Sequence, residues 1–251
     1  MNKWLFWQKD WFVGLLVALV FLFGANSDLM QSLERKAYDL GVVASSRTPS
    51  DKIAVIAIDE QSIANLGRWP WPRAIHAQML DVLRSGHPKV IGYTAFFFEP
   101  QVDAGLDYIY KIAELIGNSK LKDTRDPAVQ AELAQLSALL QEAAQNLDND
   151  QKLSDSIEKA NDVLLAMFFE LGEPQGKPDQ ELPDYVLRNN LTNVKDTGSS
   201  GELPLPAFNV LLPIPALGGK ALAIGHLNSS PDVDGAIRTE PLVVGYYNQY
   251  Y

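Results

Sequence analysis

The sequence predicts an α/β fold: a mostly parallel sheet with flanking helices, ended by an antiparallel C-terminal hairpin and preceded by an N-terminal transmembrane helix. Three short apolar runs alternate with stretches of helical spacing, as in sheets whose parallel strands are covered on both faces. The runs are residues 53–58, 90–96 and 161–169. Residues 222–228 and 236–246 then flank Asp234-Gly235, a pair that favours a hairpin turn.

The N-terminal helix is predicted from one uninterrupted apolar run, WFVGLLVALVFLFGA at residues 11–25. The run is shorter than the roughly 20 apolar residues of a full span, although Trp4 and Trp7 near lysine suit a membrane interface. A cleaved secretory signal peptide is the alternative. Both interpretations send the rest of the chain across the membrane. We assign residues 1–26 to an anchor helix and residues 27–251 to an extracytoplasmic domain.

The elements that follow the anchor are predicted from local spacing. Residues 27–40 carry apolar side chains at helical intervals. A short helix at residues 60–66 precedes the loop RWPWPR, and Pro72 of that loop suits the first turn of a helix over residues 73–85. Residues 172–201 are rich in Gly, Pro, Asn and Ser and predict a long loop.

A helical insertion is predicted at residues 103–147. Asp126-Pro127 is a typical helix start, and apolar side chains then recur at steps of three and four residues. These side chains are Leu133, Leu136, Leu140, Ala144 and Leu147. The pattern fits a helical hairpin packed on the domain, and it also fits an arm for self-association or signal transfer.

Composition excludes several classes of function. The formal net charge of −10 argues against a nucleic-acid-binding surface, which would need a basic stripe. The chain has no cysteine, so it can form no disulfide, no thiolate zinc site and no thiol nucleophile. At 251 residues the chain is long enough to bury a core of its own, and we expect one large domain.

Catalytic and metal-binding motifs are not found in the sequence. The three histidines show no metal-ligand spacing, and there is no nucleophile elbow, phosphate-binding glycine loop or zincin helix. Asp232 and Asp234 before Gly235 resemble part of a calcium loop, but Pro241 stands where the closing glutamate is needed. A capped hairpin turn is favoured there, and we predict no catalytic residue, no metal site and no cofactor.

Acidic residues follow each of the three predicted strands. Asp59 and Glu60 come after the first strand, Glu99 after the second and Glu170 after the third. Open α/β sheets bind ligands beyond the carboxyl ends of their strands. If the strands are neighbours, these carboxylates meet at one edge of the sheet, and the arginines of the RWPWPR loop follow the first strand closely enough to reach it.

The RWPWPR loop combines two indoles with two guanidinium groups on a segment that its prolines stiffen. Arg73 could pin the loop by pairing with Asp59 or Glu99. The indoles could instead line a pocket for a small anionic or amphipathic ligand, and a catalytic edge is the third possibility. The candidate ligand-binding or structural residues are Asp59, Arg68, Trp69, Trp71, Arg73, His76 and Glu99.

Four stretches, in this order, resemble the CHASE sensor domain of the second type, an extracytoplasmic input module of bacteria. They are AVIAIDEQSIANLGRWPWPRAIHAQMLDVL, VIGYTAFFFEP, DVLLAMFFELG and GHLNSSPDVDGAIRTEPL. The resemblance spans roughly residues 34–247 with gaps. Its most specific part is a strand with an aspartate, the LGRWPWPR loop and His76 at the start of a helix.

The resemblance implies a sensor domain outside the bacterial cytoplasmic membrane, held by one membrane helix and followed by further membrane helices and a cytoplasmic kinase or cyclase. This chain would be the input half of such a receptor, non-catalytic by itself, in contact with the membrane through residues 11–25 and, by analogy, a homo-oligomer. The family implies no particular small-molecule ligand. A self-associating structural envelope protein built on the sensor fold and a hydrolase using Asp59, Glu99 and His76 are the rival hypotheses.

Three departures from the family pattern are visible. Thr94 stands where the second strand usually continues with an aspartate, which weakens the idea of an acid cluster. The stretch LGVVASS follows Asp39 where arginines are common. Residues 103–147 look like an insertion relative to compact members of the family. We expect properties that distinguish this protein from those members to reside in this insertion.

Overall fold

A computed structural model of the 251-residue chain divides into two compact units, Met1–Asp59 and Glu60–Tyr251, and each unit is described by itself. The residues that the structure describes are 9–24, 27–45, 48–101, 103–192, 194 and 204–251. The predicted interfacial residues Trp4 and Trp7 lie outside these ranges, as does part of the loop predicted at residues 172–201.

Two helices, α1 at Asp10–Gly24 and α2 at Asp28–Ala44, form the regular structure described in the first unit. α1 ends at Gly24, and Ser27 caps α2 by accepting a hydrogen bond from the main-chain N–H of Met30. The predicted N-terminal transmembrane helix is wrong, because none of the described helices has the length and apolar character needed to cross a bilayer. α1 has 15 residues, fewer than the roughly 20 of a full span.

Residues 53–58, predicted as the first parallel strand, form no strand in the structure. Their side chains are exposed, and that of Val55 is 87% accessible. A strand requires a hydrogen-bonded neighbour, whereas the described part of the first unit contains only helices as regular elements. The apolar, β-branched sequence favoured an extended backbone, but pairing depends on a second segment that local sequence does not reveal.

The second unit contains the remaining helices and all the described strands. The helices are α3 (Glu60–Leu66), α4 (Arg73–Ser85), α5 (Ala104–Asn118), α6 (Pro127–Leu147), α7 (Asn149–Ala160), α8 (Asp184–Leu187) and α9 (Pro215–Gly218). The strands are β1 (Ile91–Gly92), β2 (Val163–Leu171), β3 (Leu205–Leu211), β4 (Ala223–His226), β5 (Ser230–Pro231), β6 (Ile237–Thr239), β7 (Val244–Tyr246) and β8 (Gln249–Tyr250). The helix predicted over residues 73–85 is confirmed with these bounds by α4.

β2 is the central strand of a mixed six-stranded sheet, where the sequence predicted a mostly parallel one. It runs parallel to β1 and β4 but antiparallel to β3, and β3 then pairs parallel with β7, whose other neighbour β8 is antiparallel. Residues 205–211 were not predicted as a strand because they contain Pro206 and lie in a stretch where prolines alternate with apolar residues. Pro206 nevertheless joins the sheet through its carbonyl oxygen, which accepts a hydrogen bond from the Gly172 N–H at 2.8 Å.

The C-terminal hairpin is smaller than predicted. β4 pairs with β2 instead of turning back on the next strand. The antiparallel turn is made by β5 and β6 alone, around Gly235 with a φ of 81°. Gly235 follows Asp234 as the turn prediction required, but Pro231 and Pro241 limit the ribbon to two or three residues a strand.

The core of the second unit lies between β2 and the helices α4 and α7. Alternate side chains of β2 are buried together with apolar side chains of both helices, as expected for a strand packed on one face by helices. The most buried members are Leu80, Leu153, Ile157, Val163, Leu165, Met167 and Phe169. This packing sets the N-termini of α4 and α7 side by side.

Candidate functional site at the tryptophan loop

The loop that carries two tryptophans connects α3 to α4. Gly67 follows α3 with a φ of 99°, a backbone conformation that glycine adopts without steric cost. The indole N–H of Trp71 donates a hydrogen bond to the Gly67 carbonyl at 2.7 Å. Pro72 then precedes Arg73, the first residue of α4. The loop is therefore fastened at its start and leads directly into a helix.

Five aromatic rings meet where this loop, α4 and the chain after β1 converge. We call Trp69, Trp71, His76, Tyr93 and Phe97 the tryptophan-loop cluster. The ring centroid of His76 lies 5.6 Å from that of Trp69, 6.4 Å from Trp71, 5.7 Å from Tyr93 and 5.5 Å from Phe97. Most of these contacts are edge-to-face, a favoured arrangement of aromatic pairs. His76 is the centre of the cluster and is only 3% exposed.

His76 is held as a neutral ring. Its Nδ1 forms a hydrogen bond with the Tyr93 hydroxyl. Burial lowers the pKa of His76 below its usual value of 6.5, and the nearby positive charge of Arg73 lowers it further, while a hydrogen bond to the Trp71 backbone opposes the shift. Burial likewise raises the pKa of Tyr93 well above 10.0. Both rings therefore stay uncharged at neutral pH.

Arg73 ties three segments together beside the cluster. Its Nε lies 2.8 Å from Oδ1 of Asp150 in the first turn of α7, and its Nη2 donates to the main-chain carbonyl of Glu99. The guanidinium group also stands over the Phe97 ring at 5.3 Å. Gln101 completes the network, since its Oε1 accepts from the Arg73 N–H at 2.7 Å and its own N–H donates to Asp150 Oδ2 at 2.9 Å.

Comparison with known proteins assigns the family. Residues 13–251, nearly the whole chain, match the model of the CHASE2 domain. The chain belongs to the CHASE2 family. CHASE2 domains are extracytoplasmic sensor domains and are not catalytic, as the sequence resemblance implied. No significant match to a curated protein or to a solved structure was found.

The structure of this CHASE2 domain brings some of the predicted site residues together. Trp69, Trp71 and His76 belong to one cluster, and Arg73 lies against it. Glu99 contributes its main-chain carbonyl to Arg73, and its side chain is exposed. Arg68 is exposed at the start of the loop and belongs to no ring contact described above.

The predicted acid edge is not assembled in the second unit. Asp59 belongs to the first unit, where it is exposed. Glu170 is the penultimate residue of β2 and is paired with Asn209 of β3, so it lies within the ladder and does not follow the strand as predicted. Arg73 was expected to form an ion pair with Asp59 or Glu99. It does form an ion pair, but its carboxylate partner is Asp150.

Sequence reasoning missed three residues of this CHASE2 domain that hold the site. Tyr93, Gln101 and Asp150 contact His76 or Arg73, although each lies far from its partner in the chain. Elsewhere in the unit the buried Asn228 was also missed: its side chain accepts from the Phe169 N–H at 3.0 Å and donates to the Phe169 carbonyl at 2.6 Å. An indirect sequence signal existed for two of the three site residues: Tyr93 lies in the stretch VIGYTAFFFEP and Gln101 directly follows it, whereas Asp150 lies in none of the stretches that carry the resemblance.

The turn that resembled a calcium loop is closed by an arginine. Arg238 Nη1 lies 2.6 Å from Asp232 Oδ2 and 2.9 Å from Asp234 Oδ1. This guanidinium group neutralises the carboxylates that a cation would need. Within the described ranges of the chain, no group of three or more His, Cys, Asp or Glu residues could hold a metal ion.

Proposed function

We propose that this chain is the input domain of a bacterial signal-transduction receptor, working on the extracytoplasmic side without catalysis of its own. The observation that carries the proposal is the match of residues 13–251 to a family of sensor domains. The family match identifies a sensor domain. That this domain is part of a receptor with an output domain is our proposal. A signal can change the output only if it binds two conformations of this domain with different affinity.

The tryptophan-loop cluster is the proposed place where such conformations differ. It joins the loop, the N-terminus of α4, the chain after β1 and, through Arg73, the N-terminus of α7. If one of these segments moves, either the other segments must move with it or the buried ion pair between Arg73 and Asp150 must break. The cluster can therefore relay a local change across the second unit, because packed cores deform in discrete steps.

Arg68 and Trp69 are the residues that we propose as ligand contacts. Arg73 cannot serve this purpose, because its side chain is 12% exposed and already engaged by Asp150 and the Glu99 carbonyl. Trp71 and His76 are buried and act as the support beneath the loop. The exposed guanidinium and indole at the loop surface suit a small ligand that combines an anionic group with an apolar part.

Binding followed by chemical analysis of the bound compound tests the proposal. A library of small anionic amphiphiles is screened by the shift in melting temperature of the chain, and each stabilising compound is recovered after hours of incubation. A sensor returns the compound unchanged, and Arg68→Ala weakens its binding. Turnover of the compound would show an enzyme instead, and a library without any binder would contradict small-molecule sensing at this loop.

A further inference from the structure

The helices α5 and α6 pack on each other, yet neither contains a buried residue. Between them lies a groove of about 510 Å³. Apolar, small or uncharged polar side chains line it: Ile109, Tyr110, Ala113, Ile116, Gly117, Gln130, Leu133, Ala134, Ser137, Leu140, Gln141 and Ala144. Helices in proteins owe most of their stability to the tertiary packing of an apolar face. One face of this helix pair is therefore apolar but is not packed against another part of the chain.

The charge of the chain narrows the choice of occupant. The protein carries a formal net charge of −10, so two copies repel each other wherever their acidic surfaces meet. None of the side chains that line the groove is charged. An anionic membrane surface would require unpaired lysines or arginines around the groove, whereas Lys111 of α5 is paired with Asp107 and α6 contains neither lysine nor arginine. An acidic or basic partner would require opposite charges. An identical uncharged face meets neither obstacle.

We propose that the groove between α5 and α6 is a homodimer interface, in which the α5–α6 pair of a second copy docks face to face to form a four-helix bundle. The two-fold axis passes between the two facing α6 helices near Ser137, at the middle of α6, so that these helices run antiparallel. The small side chains Ala113, Gly117 and Ala134 permit the close approach that helix packing needs.

The size of the face sets the strength of this dimer. α5 has 15 residues, so the helix pair is roughly 22 Å long and roughly 20 Å wide. Each copy then contributes roughly 450 Å², and the total of roughly 900 Å² is below the about 1,200 Å² of a standard stable interface. The association is therefore expected to be weak and reversible.

Sedimentation equilibrium of the full chain over about 10 to 500 μM tests the interface. Gln141→Lys places a charge in the groove, and Gln135→Lys adds the same charge to an exposed residue of α6 outside it. Both changes lower the net negative charge equally, so any difference between them is local. We expect at least a tenfold weaker dimer for Gln141→Lys, because a charge buried without a partner is costly, and no loss for Gln135→Lys.

Cross-linking gives a second readout that does not depend on the lysine variants. Because the chain has no cysteine, Ser137→Cys introduces a single thiol at the proposed axis. A short bifunctional thiol reagent is expected to join two copies of this variant and not of Gln135→Cys. A chain that stays monomeric throughout, a dimer that both lysine variants leave intact or weaken equally, or equal cross-linking at the two positions would overturn the proposal.

Discussion

The tryptophan-loop cluster and the α5–α6 helix pair belong to the same unit but bury their apolar side chains to opposite extents. In the cluster, Trp71 and His76 are 9% and 3% exposed, and His76 contacts Tyr93, which lies 17 residues away in the chain. On the helix pair Leu139 is 61% exposed. The comparison teaches that the cluster adds buried packing to the unit, whereas the apolar side chains of the helix pair stay uncovered within one copy of the chain.

The largest expected effect comes from removing an indole of the cluster. Trp71→Ala deletes a buried ring together with its hydrogen bond to the Gly67 carbonyl. We expect the free energy of unfolding to fall by about 3 to 5 kcal/mol, as for other large-to-small changes in a core. Urea unfolding followed by circular dichroism measures it. A loss below about 1 kcal/mol would show that the cluster does not carry the stability of the unit.

The next effect comes from the ion pair beside the cluster. Asp150→Asn leaves the Arg73 guanidinium, 12% exposed, without its carboxylate, and we expect a loss of about 3 kcal/mol in the free energy of unfolding. The matched control is Asp107→Asn, which breaks the exposed pair with Lys111 on α5. The control is expected to cost less than about 1 kcal/mol. If both variants lost the same free energy of unfolding, the ion pair beside the cluster would be no more important for stability than the exposed pair on α5.

A smaller effect is expected from pH. The pKa of His76 is lowered by burial, so below pH 6.5 the unfolded chain takes up a proton before the folded chain does, and stability falls as the pH falls toward the folded pKa. One such group contributes a slope of at most about 1.4 kcal/mol per pH unit. Because burial lowers the pKa of His226 as well, only part of the slope belongs to His76.

The variant His76→Gln isolates that part. Its free energy of unfolding, measured between pH 7 and pH 5, is expected to depend less on pH than that of the parent chain. His87→Asn, which removes an exposed histidine, is the control. A slope that is the same in the parent and in His76→Gln would mean that His76 is not the group that takes up the proton.

The smallest effect is expected on the helix pair itself. Leu139→Gln replaces an exposed side chain on α6, so the free energy of unfolding in dilute solution should change by less than about 0.5 kcal/mol. The same measurement sharpens the comparison with Trp71→Ala, since both residues are large and apolar. A loss of several kcal/mol would show that the helix pair is packed within the unit after all.

The bounds and caps of individual helices, such as α4 and α6, were the most predictable parts of the molecule. The helix predicted over residues 73–85 has the bounds of α4, and Asp126 caps α6 as the Asp-Pro pair indicated. Caps and apolar spacing act within one or two turns, so they can be read locally. The strand predicted at residues 53–58 is wrong because a strand depends on a partner elsewhere in the chain.

The candidate site was predictable only in part. Trp69, Trp71, Arg73 and His76 were identified because proline, tryptophan and arginine are unusual together, and the structure places them side by side. The partners Tyr93 and Asp150 could not be named, since an ordinary tyrosine and an ordinary aspartate carry no mark of the residue that they will contact. The functional roles of the candidate site residues stay predictions, which the experiments above test.

By itself, the sequence determined the local features: the helices, their caps, the stiff tryptophan loop and the motifs by which the chain resembles the CHASE2 family. The tertiary structure alone decided which carboxylate holds Arg73, how β3 enters the sheet and which apolar helices stay uncovered. The physical reason is distance along the chain. A cap or a turn is closed by neighbouring residues, whereas a buried ion pair or a strand pairing exists only once the fold has brought remote segments together.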